Sequence, residues 1–243
     1  MHKFGLVGKD ISYSFSRNYF SEKFARMQLR DHLYVNFDLS DISELELLLQ
    51  SPGDLQGLNV TIPYKEAVLP LLTALDSEAA KVGAVNTIKF TPGGTKGYNT
   101  DIYGFETSLL PYLEPSHKKA LILGTGGASK AVAYVLERQG ISYTFVSRNP
   151  LTGQYHYEDL NSRIIAENTL LVNCTPLGTF PDTERKPDIP YDGIGAGHLL
   201  YDLIYNPPLT AFLAEGQSRG ATTINGLEML KQQAEKSWQI WNS

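Results

Sequence analysis

The stretch Asn59-Val60-Thr61-Ile62-Pro63-Tyr64-Lys65 sets a cation just past a strand-like run. The β-branched Val60, Thr61 and Ile62 favour extended backbone. Pro63 has no N–H to give and so ends the ladder. A lysine at such an ending stands where α/β proteins present reactive groups. Other polar residues share this placement: Ser12, Ser14 and Ser16, then Asn59 and Thr61, Asn86, and finally Asn99 and Asp101. Each alone reads equally as a cap or a turn residue. Together they make a different set: many neutral hydrogen-bonding groups, one cation and one carboxylate. That mixture suits a polyhydroxylated ligand. If the first, third and fourth strands run parallel, Ser14, Asn59, Asn86 and Asp101 converge at one edge of the sheet.

A second constellation is Gly124-Thr125-Gly126-Gly127, after an apolar strand and before a helix. Glycine permits the tight turn and lets the backbone approach a pyrophosphate at the helix N-terminus. Ser129 holds the position of the third glycine in the usual dinucleotide fingerprint. The next strand ends in Ser147-Arg148-Asn149, without the acid that would hold the ribose hydroxyls of NAD. A guanidinium fork suits a 2′-phosphate; a surface arginine is the competing reading.

The elements that must position these residues alternate. Strands are expected at 4–8, 33–37, 58–62 and 86–90, and helices at 16–28, from Asp41 to Leu49 and from Lys65 to Leu75. Asp41 and Glu44 form a capping-box pattern. The segment 91–97 is expected to be a turn. The second half restarts with strand, glycine turn and helix, then strands at 142–148, 170–175 and 199–205. A final helix from Leu227 carries Leu227, Leu230, Ala234, Trp238 and Trp241 on one stripe, which must pack back on an earlier part of the chain.

Composition bounds the function. The 243 residues carry 21 Lys and Arg against 26 Asp and Glu, and a net charge of −5 argues against a nucleic-acid partner. One cysteine, Cys174, permits no internal disulfide and fits a reducing, cytoplasmic setting. No signal peptide or membrane span is expected. The five histidines are scattered without ligand spacing, so no metal is expected.

The segments "GLVGKDISYSFS", "GLNVTIPYK", "GAVNTI", "GYNTD", "LGTGGASKA", "NCTPLG", "YDLIYNPPLT" and "NGLEMLKQQA", in this order and spacing, resemble the shikimate dehydrogenases. The resemblance spans nearly the whole chain. It implies an α/β protein with a mixed N-terminal substrate-binding domain over 1–101 and a Rossmann-like NADP-binding domain over 102–225. Residues 226–243 would return to the first domain. It implies reduction of 3-dehydroshikimate to shikimate with NADPH and a small-molecule partner; the oligomeric state, monomer or homodimer, is left open.

Carried over by position, Lys65 and Asp101 are the acid–base pair. Ser14 and Ser16 read the substrate carboxylate; Asn59, Thr61, Asn86, Tyr205 and Gln233 contact the rest of the substrate. Gly124, Gly126, Gly127 and Ala128 form the phosphate loop, and Ser147, Arg148 and Asn149 the adenosine-phosphate site. The chain departs from the family at Arg17, usually proline, and at Thr179, often methionine; no second basic residue follows Arg148. A quinate-preferring enzyme and a non-catalytic ligand- or nucleotide-sensing homologue are the alternatives. Retention of both Lys65 and Asp101 favours the enzyme.

Overall fold

The computed structural model describes residues 1–11 and 14–243, so Ser12 lies outside the described residues. The chain forms two compact units, Met1–Thr100 with Ala234–Ser243, and Asp101–Gln233.

The first unit opens with β1 (His2–Gly8), α1 (Phe15–Arg26), β2 (His32–Asp38), α2 (Ile42–Gln50) and β3 (Leu55–Val60). Ser14 caps α1, and Asp41 starts α2 with the expected capping box to Glu44. Next come α3 (Tyr64–Ala67), β4 (Ala74–Leu75) and α4 (Ser77–Val82). The helix expected from Lys65 to Leu75 is therefore a single turn. Pro70 cannot continue the ladder, and the chain tightens into a 3₁₀ turn over Leu69–Leu71 before it extends. β5 (Thr87–Thr91) and β6 (Gly94–Tyr98) form a hairpin, so most of the segment expected as a turn is strand.

The sheet order is β2-β1-β3-β5-β6-β4. β1 pairs parallel with β2 and β3, whereas β5 is antiparallel to both β3 and β6. The fourth strand of the sequence reading is thus reversed, and the reversal is what gathers the polar residues. It lays the amino end of β5, with Asn86, beside the carboxyl ends of β3 and β6. A parallel β5 would carry Asn86 to the opposite edge.

The second unit contains α5 (Asp101–Leu109), β7 (Lys119–Leu123), α6 (Gly127–Arg138) and β8 (Ser142–Ser147). It continues with β9 (Tyr155–His156), α7 (Ser162–Glu167), β10 (Leu170–Asn173), β11 (Leu199–Asp202), α8 (Ala211–Ser218) and β12 (Thr222–Ile224). Its sheet, ordered β12-β11-β10-β7-β8-β9, is parallel throughout. Strands β7, β10 and β11 are buried at almost every position, as expected of a sheet covered on both faces.

The last helix, α9 (Leu227–Trp241), begins in the second unit and ends in the first. Its buried face is Met229, Gln233, Ala234, Ser237 and Trp241, offset from the expected stripe and partly polar. Leu227, Leu230 and Trp238 are only partly buried. Within the first unit Trp241 stacks on Phe4 at 4.9 Å and lies 5.4 Å from Phe20. Gly57 makes room for it, since a Cβ there would lie 2.2 Å from the indole nitrogen. That nitrogen donates to the Ile88 carbonyl at 3.0 Å.

Candidate active site

In the first unit the carboxyl ends of β1, β3 and β6 meet the amino end of β5. Ser14 follows β1 and is partly exposed; its Oγ accepts from the Arg17 N–H at 3.4 Å. A proline in place of Arg17 could not supply that N–H. Ser16, one residue into α1, is buried and shares a hydrogen bond with the Tyr34 hydroxyl. Burial pushes the Tyr34 phenol far above its ordinary range, so it stays neutral. Thr61 lies one residue past β3; its N–H donates to Val7 O at 2.8 Å, and its carbonyl accepts from Tyr64 N at 2.9 Å.

Asn59 and Asn86 are both buried, at 5% and 3% exposure, and share a core of hydroxyls. Asn59 Oδ1 accepts from Tyr34 Oη at 2.8 Å. Its nitrogen faces Ser237 Oγ at 2.9 Å, Thr87 Oγ1 at 3.2 Å and the Asn86 carbonyl at 3.3 Å. Asn86 Oδ1 accepts from the Thr100 N–H at 2.7 Å and lies 3.1 Å from both threonine hydroxyls. The sequence reading missed Tyr34, Thr87, Thr100 and Ser237. One signal was available for Ser237: it lies four residues from both Gln233 and Trp241, on the face of α9 that is buried.

Lys65 occupies the single turn of α3, half-buried, and its carbonyl accepts from Val85 N at 2.8 Å. Asp101 belongs to the second unit, where it is the first residue of α5 and 6% exposed. A helix N-terminus favours a carboxylate there. Gln233 is buried on α9 and donates to Leu230 O at 2.9 Å. In the second unit α9 runs close to α5, because a Cβ on Gly104 would lie 2.6 Å from the Met229 carbonyl. Tyr205 is half-buried, and burial raises its phenol.

The strand order of the second unit reverses at β7, which puts the topological switch point between β7 and β10. The glycine turn sits there. Gly124 adopts φ 100°, a conformation that favours glycine, and a Cβ on it would lie 3.1 Å from Thr175 Cγ2. Gly126 caps α6 with ordinary φ −74°, and nothing lies within 4 Å of where its Cβ would be. That open space, ahead of the exposed first N–H groups of a 12-residue helix, fits a pyrophosphate. Gly127 and Ala128 form the first turn of α6 and are partly exposed. Ser129 is buried and its hydroxyl donates to Gly126 O at 2.6 Å, so the helix tolerates serine at the third fingerprint position. Ser147 ends β8 with its hydroxyl accepting from Asn149 N at 3.2 Å. Arg148 and Asn149 are exposed, and among the described residues no carboxylate pairs with Arg148.

One buried carboxylate lies beside this turn. Asp202 ends β11 with 0% exposure. It accepts from Asn173 Nδ2 at 3.0 Å, Ile204 N at 3.0 Å and Thr210 Oγ1 at 2.6 Å. Asn173 in turn accepts from Thr175 Oγ1 at 2.7 Å, which links Asp202 to the residue that abuts Gly124. Burial pushes the Asp202 carboxyl up to about 6, against the pull of these hydrogen bonds. Cys174, half-buried, has its thiol raised far above the ordinary range by desolvation and by the Asp202 charge, which makes it an unreactive thiol.

An open, all-parallel sheet with a glycine turn at its switch point defines a doubly wound dinucleotide-binding unit, and the chain attaches to it a second, mixed α/β unit rich in neutral polar groups. Residues 6–88 match the family model described as the shikimate dehydrogenase substrate binding domain. The shikimate dehydrogenase (NADP(+)) of Methanosphaera stadtmanae is 35% identical, over 98% of this chain and 90% of that protein. A crystal structure of shikimate dehydrogenase 1 from Peptoclostridium difficile is 35% identical with a TM-score of 0.84, over 100% of this chain and 92% of that one. The shikimate 5-dehydrogenase of Thermus thermophilus, solved in complex with NADP(H) and shikimate, gives 30% identity and a TM-score of 0.87, over 99% and 93% of the two chains. This chain belongs to the shikimate dehydrogenase family.

Proposed function

We propose that the chain is an NADP-dependent oxidoreductase of the shikimate pathway, which reversibly reduces 3-dehydroshikimate to shikimate. The observation that carries this reading is the 35% identity to a shikimate dehydrogenase (NADP(+)) over 98% of the chain, both units included. The first unit offers the neutral donors and acceptors that a polyhydroxylated ring requires. In this reading Ser14 and Ser16 bind the ring carboxylate, and Thr61, Asn86, Tyr205 and Gln233 contact the rest of the substrate.

Bound NADPH supplies the hydride. Lys65 gives a proton to the carbonyl oxygen as charge develops there, and takes it back in the reverse direction. The Asp101 carboxylate orients that amine through a charge-assisted hydrogen bond. Gly124, Gly126, Gly127 and Ala128 cradle the pyrophosphate, and Arg148 reads the 2′-phosphate with Ser147 and Asn149 beside it. The proposed setting is the cytoplasm, with a monomer or homodimer as the working form. No helix among the described residues is long and apolar enough to cross a membrane.

The test is NADPH oxidation by the purified protein with 3-dehydroshikimate supplied, alongside NADP⁺ reduction with shikimate and with quinate. Turnover of 3-dehydroshikimate and a higher kcat/KM for shikimate than for quinate are expected. A protein that binds both ligands without turnover is a sensing homologue, and one that prefers quinate is a quinate dehydrogenase.

A further inference from the structure

In the second unit, the line from Asp202 through Asn173 to Thr175 has one consistent set of hydrogen positions. Asn173 and Asp202 end β10 and β11, are register partners, and are both 0% exposed. The Thr175 N–H, 3.0 Å away, only donates, so the end of Asn173 that faces it is the oxygen. The other end donates to Asp202 Oδ1, which also accepts from Ile204 N. The Thr175 hydroxyl accepts from Leu177 N at 3.3 Å, and its one hydrogen goes to Asn173 Oδ1 at 2.7 Å. Two partners on that oxygen hold the side chain in one staggered rotamer. This rotamer turns Cγ2 toward Gly124: it is the nearest atom, at 3.1 Å, to where a Cβ on that glycine would lie. The backbone of Cys174 follows at 3.4 Å, and Cys174 N donates to Leu123 O at 2.9 Å. The chain leaving β10 therefore lies against the glycine turn leaving β7, across the switch point.

We propose that Asn173 and Asp202 are positioning residues for the cofactor: they hold Thr175 against Gly124, and so set the β10 wall of the crevice that takes the NADPH pyrophosphate. This deepens the reading of the second unit as the NADP-binding unit and rests on it. Neither residue has exposed surface for a ligand to touch, so the effect passes through Thr175. Position 173 needs a carboxamide, because one side chain must accept from Thr175 and donate to Asp202. Position 202 is served by a carboxylate or by an amide. Oδ1 alone receives Asn173 and Ile204, and an amide nitrogen at the other end can donate to the Thr210 hydroxyl that now donates to Oδ2.

The experiment measures NADPH and shikimate affinity separately, by calorimetry on the full chain, for Thr175→Val, Asp202→Ala and Asp202→Asn, and for Thr175→Val made in the Asp202→Ala background. Thr175→Val keeps a methyl for Gly124 and deletes the hydroxyl, and it decides the matter if Asp202→Ala does not fold. It is expected to weaken NADPH binding about two- to tenfold, the range of one neutral hydrogen bond, and to leave shikimate affinity unchanged. Asp202→Ala should weaken NADPH binding by about tenfold or more, since it cuts the line at its anchor. Asp202→Asn keeps the hydrogen bonds and should stay within about twofold of the parent. In the Asp202→Ala background, Thr175→Val should cost NADPH affinity little further, because the residues act in series. A role in folding alone would lower the unfolding temperature of Asp202→Ala and leave the folded protein with parent-like NADPH affinity; that result overturns the proposal. So does parent-like NADPH binding by Thr175→Val, or a loss in Asp202→Asn as large as in Asp202→Ala. Parent-like NADPH binding by Gly126→Val overturns the underlying reading of the second unit as well.

Discussion

Each unit builds a buried polar network at its strand ends, and the two are made of different chemistry. In the first, Asn59, Asn86, Thr87, Thr100 and Ser237 form a core of carboxamides and hydroxyls, and the Tyr34 phenol that donates to Asn59 is held neutral by burial. In the second, the carboxylate of Asp202 gathers Asn173, Ile204 and Thr210, with no cation paired to it among the described residues. A neutral network specifies direction: each end of a carboxamide must be a donor or an acceptor, and its backbone partners fix which. A carboxylate accepts from any donor, so it can tie several loops together at the cost of burying a charge. The first arrangement suits recognition of a hydroxylated ring. The second suits holding the loops after β10 and β11 beside a glycine turn.

The largest effect expected concerns the one cation of the first constellation. Lys65→Ala should cut turnover by about 10²–10⁴-fold, the usual contribution of an acid–base group. NADPH affinity, which the proposed function assigns to the second unit, should stay at the parent value. Asp101→Asn should also lose turnover, and the double variant should fall far short of additive. Steady-state kinetics with a separate cofactor titration decide this; parent-like turnover in Lys65→Ala contradicts the assigned role.

The contrast between the networks is sharpened by pH. The folded-state value of Asp202, about 6, lies above its ordinary 3.8 because of burial. Stability linked to its proton is therefore fully present below about pH 3.8 and is lost as pH rises through 6, a swing of about 3 kcal/mol. Its titratable neighbours Cys174 and Tyr191 are both raised and stay neutral across this range. Asp202→Asn removes the swing, so the variant should gain on the parent by up to about 3 kcal/mol between pH 4 and 7. Asn59→Ala should cost about 1–3 kcal/mol by removing the carboxamide that accepts from Tyr34 and donates to Ser237, equally at both pH values. Thermal unfolding of both variants across pH checks the pair; a pH-dependent cost for Asn59→Ala would erase the distinction.

A smaller effect is expected at the exposed end of β8. Arg148→Ala should weaken NADPH binding by about tenfold and leave NADH unchanged. Added salt should weaken NADPH more than NADH, because screening acts on the extra phosphate. Competition titrations at two ionic strengths check this, and equal losses for both cofactors contradict the role of Arg148.

Much of this architecture is legible in the sequence. Pro63 ending a β-branched run places Lys65 past a strand, and Gly124 with Gly126 marks the turn between strand and helix. The reversed β5 is not legible: Asn86-Thr87-Ile88-Lys89-Phe90 reads the same in either direction, and its antiparallel partner β6 hides in a glycine-rich stretch that looks like loop. Ser237 and Asp202 escape notice for a related reason. An apolar stripe is drawn by skipping polar residues, yet Ser237 sits on the buried face of α9 because its hydroxyl has partners across the sheet. Asp202 interrupts the apolar run from Leu199 to Tyr205, and a carboxylate in that position is itself a signal of a buried acceptor.

The central claim is that one unit binds the substrate and the other the cofactor, and calorimetric titration of two single variants tests it most directly. Asn86→Ala alters the first unit, and Gly126→Val fills space in the second where a Cβ meets nothing within 4 Å. Asn86→Ala is expected to lose shikimate affinity and keep NADPH affinity. Gly126→Val is expected to lose NADPH affinity by about tenfold or more, as the backbone contacts to charged phosphate are pushed apart, and to keep shikimate affinity. A crossed result, in which Gly126→Val abolishes shikimate binding or Asn86→Ala abolishes NADPH binding in a folded protein, would contradict it.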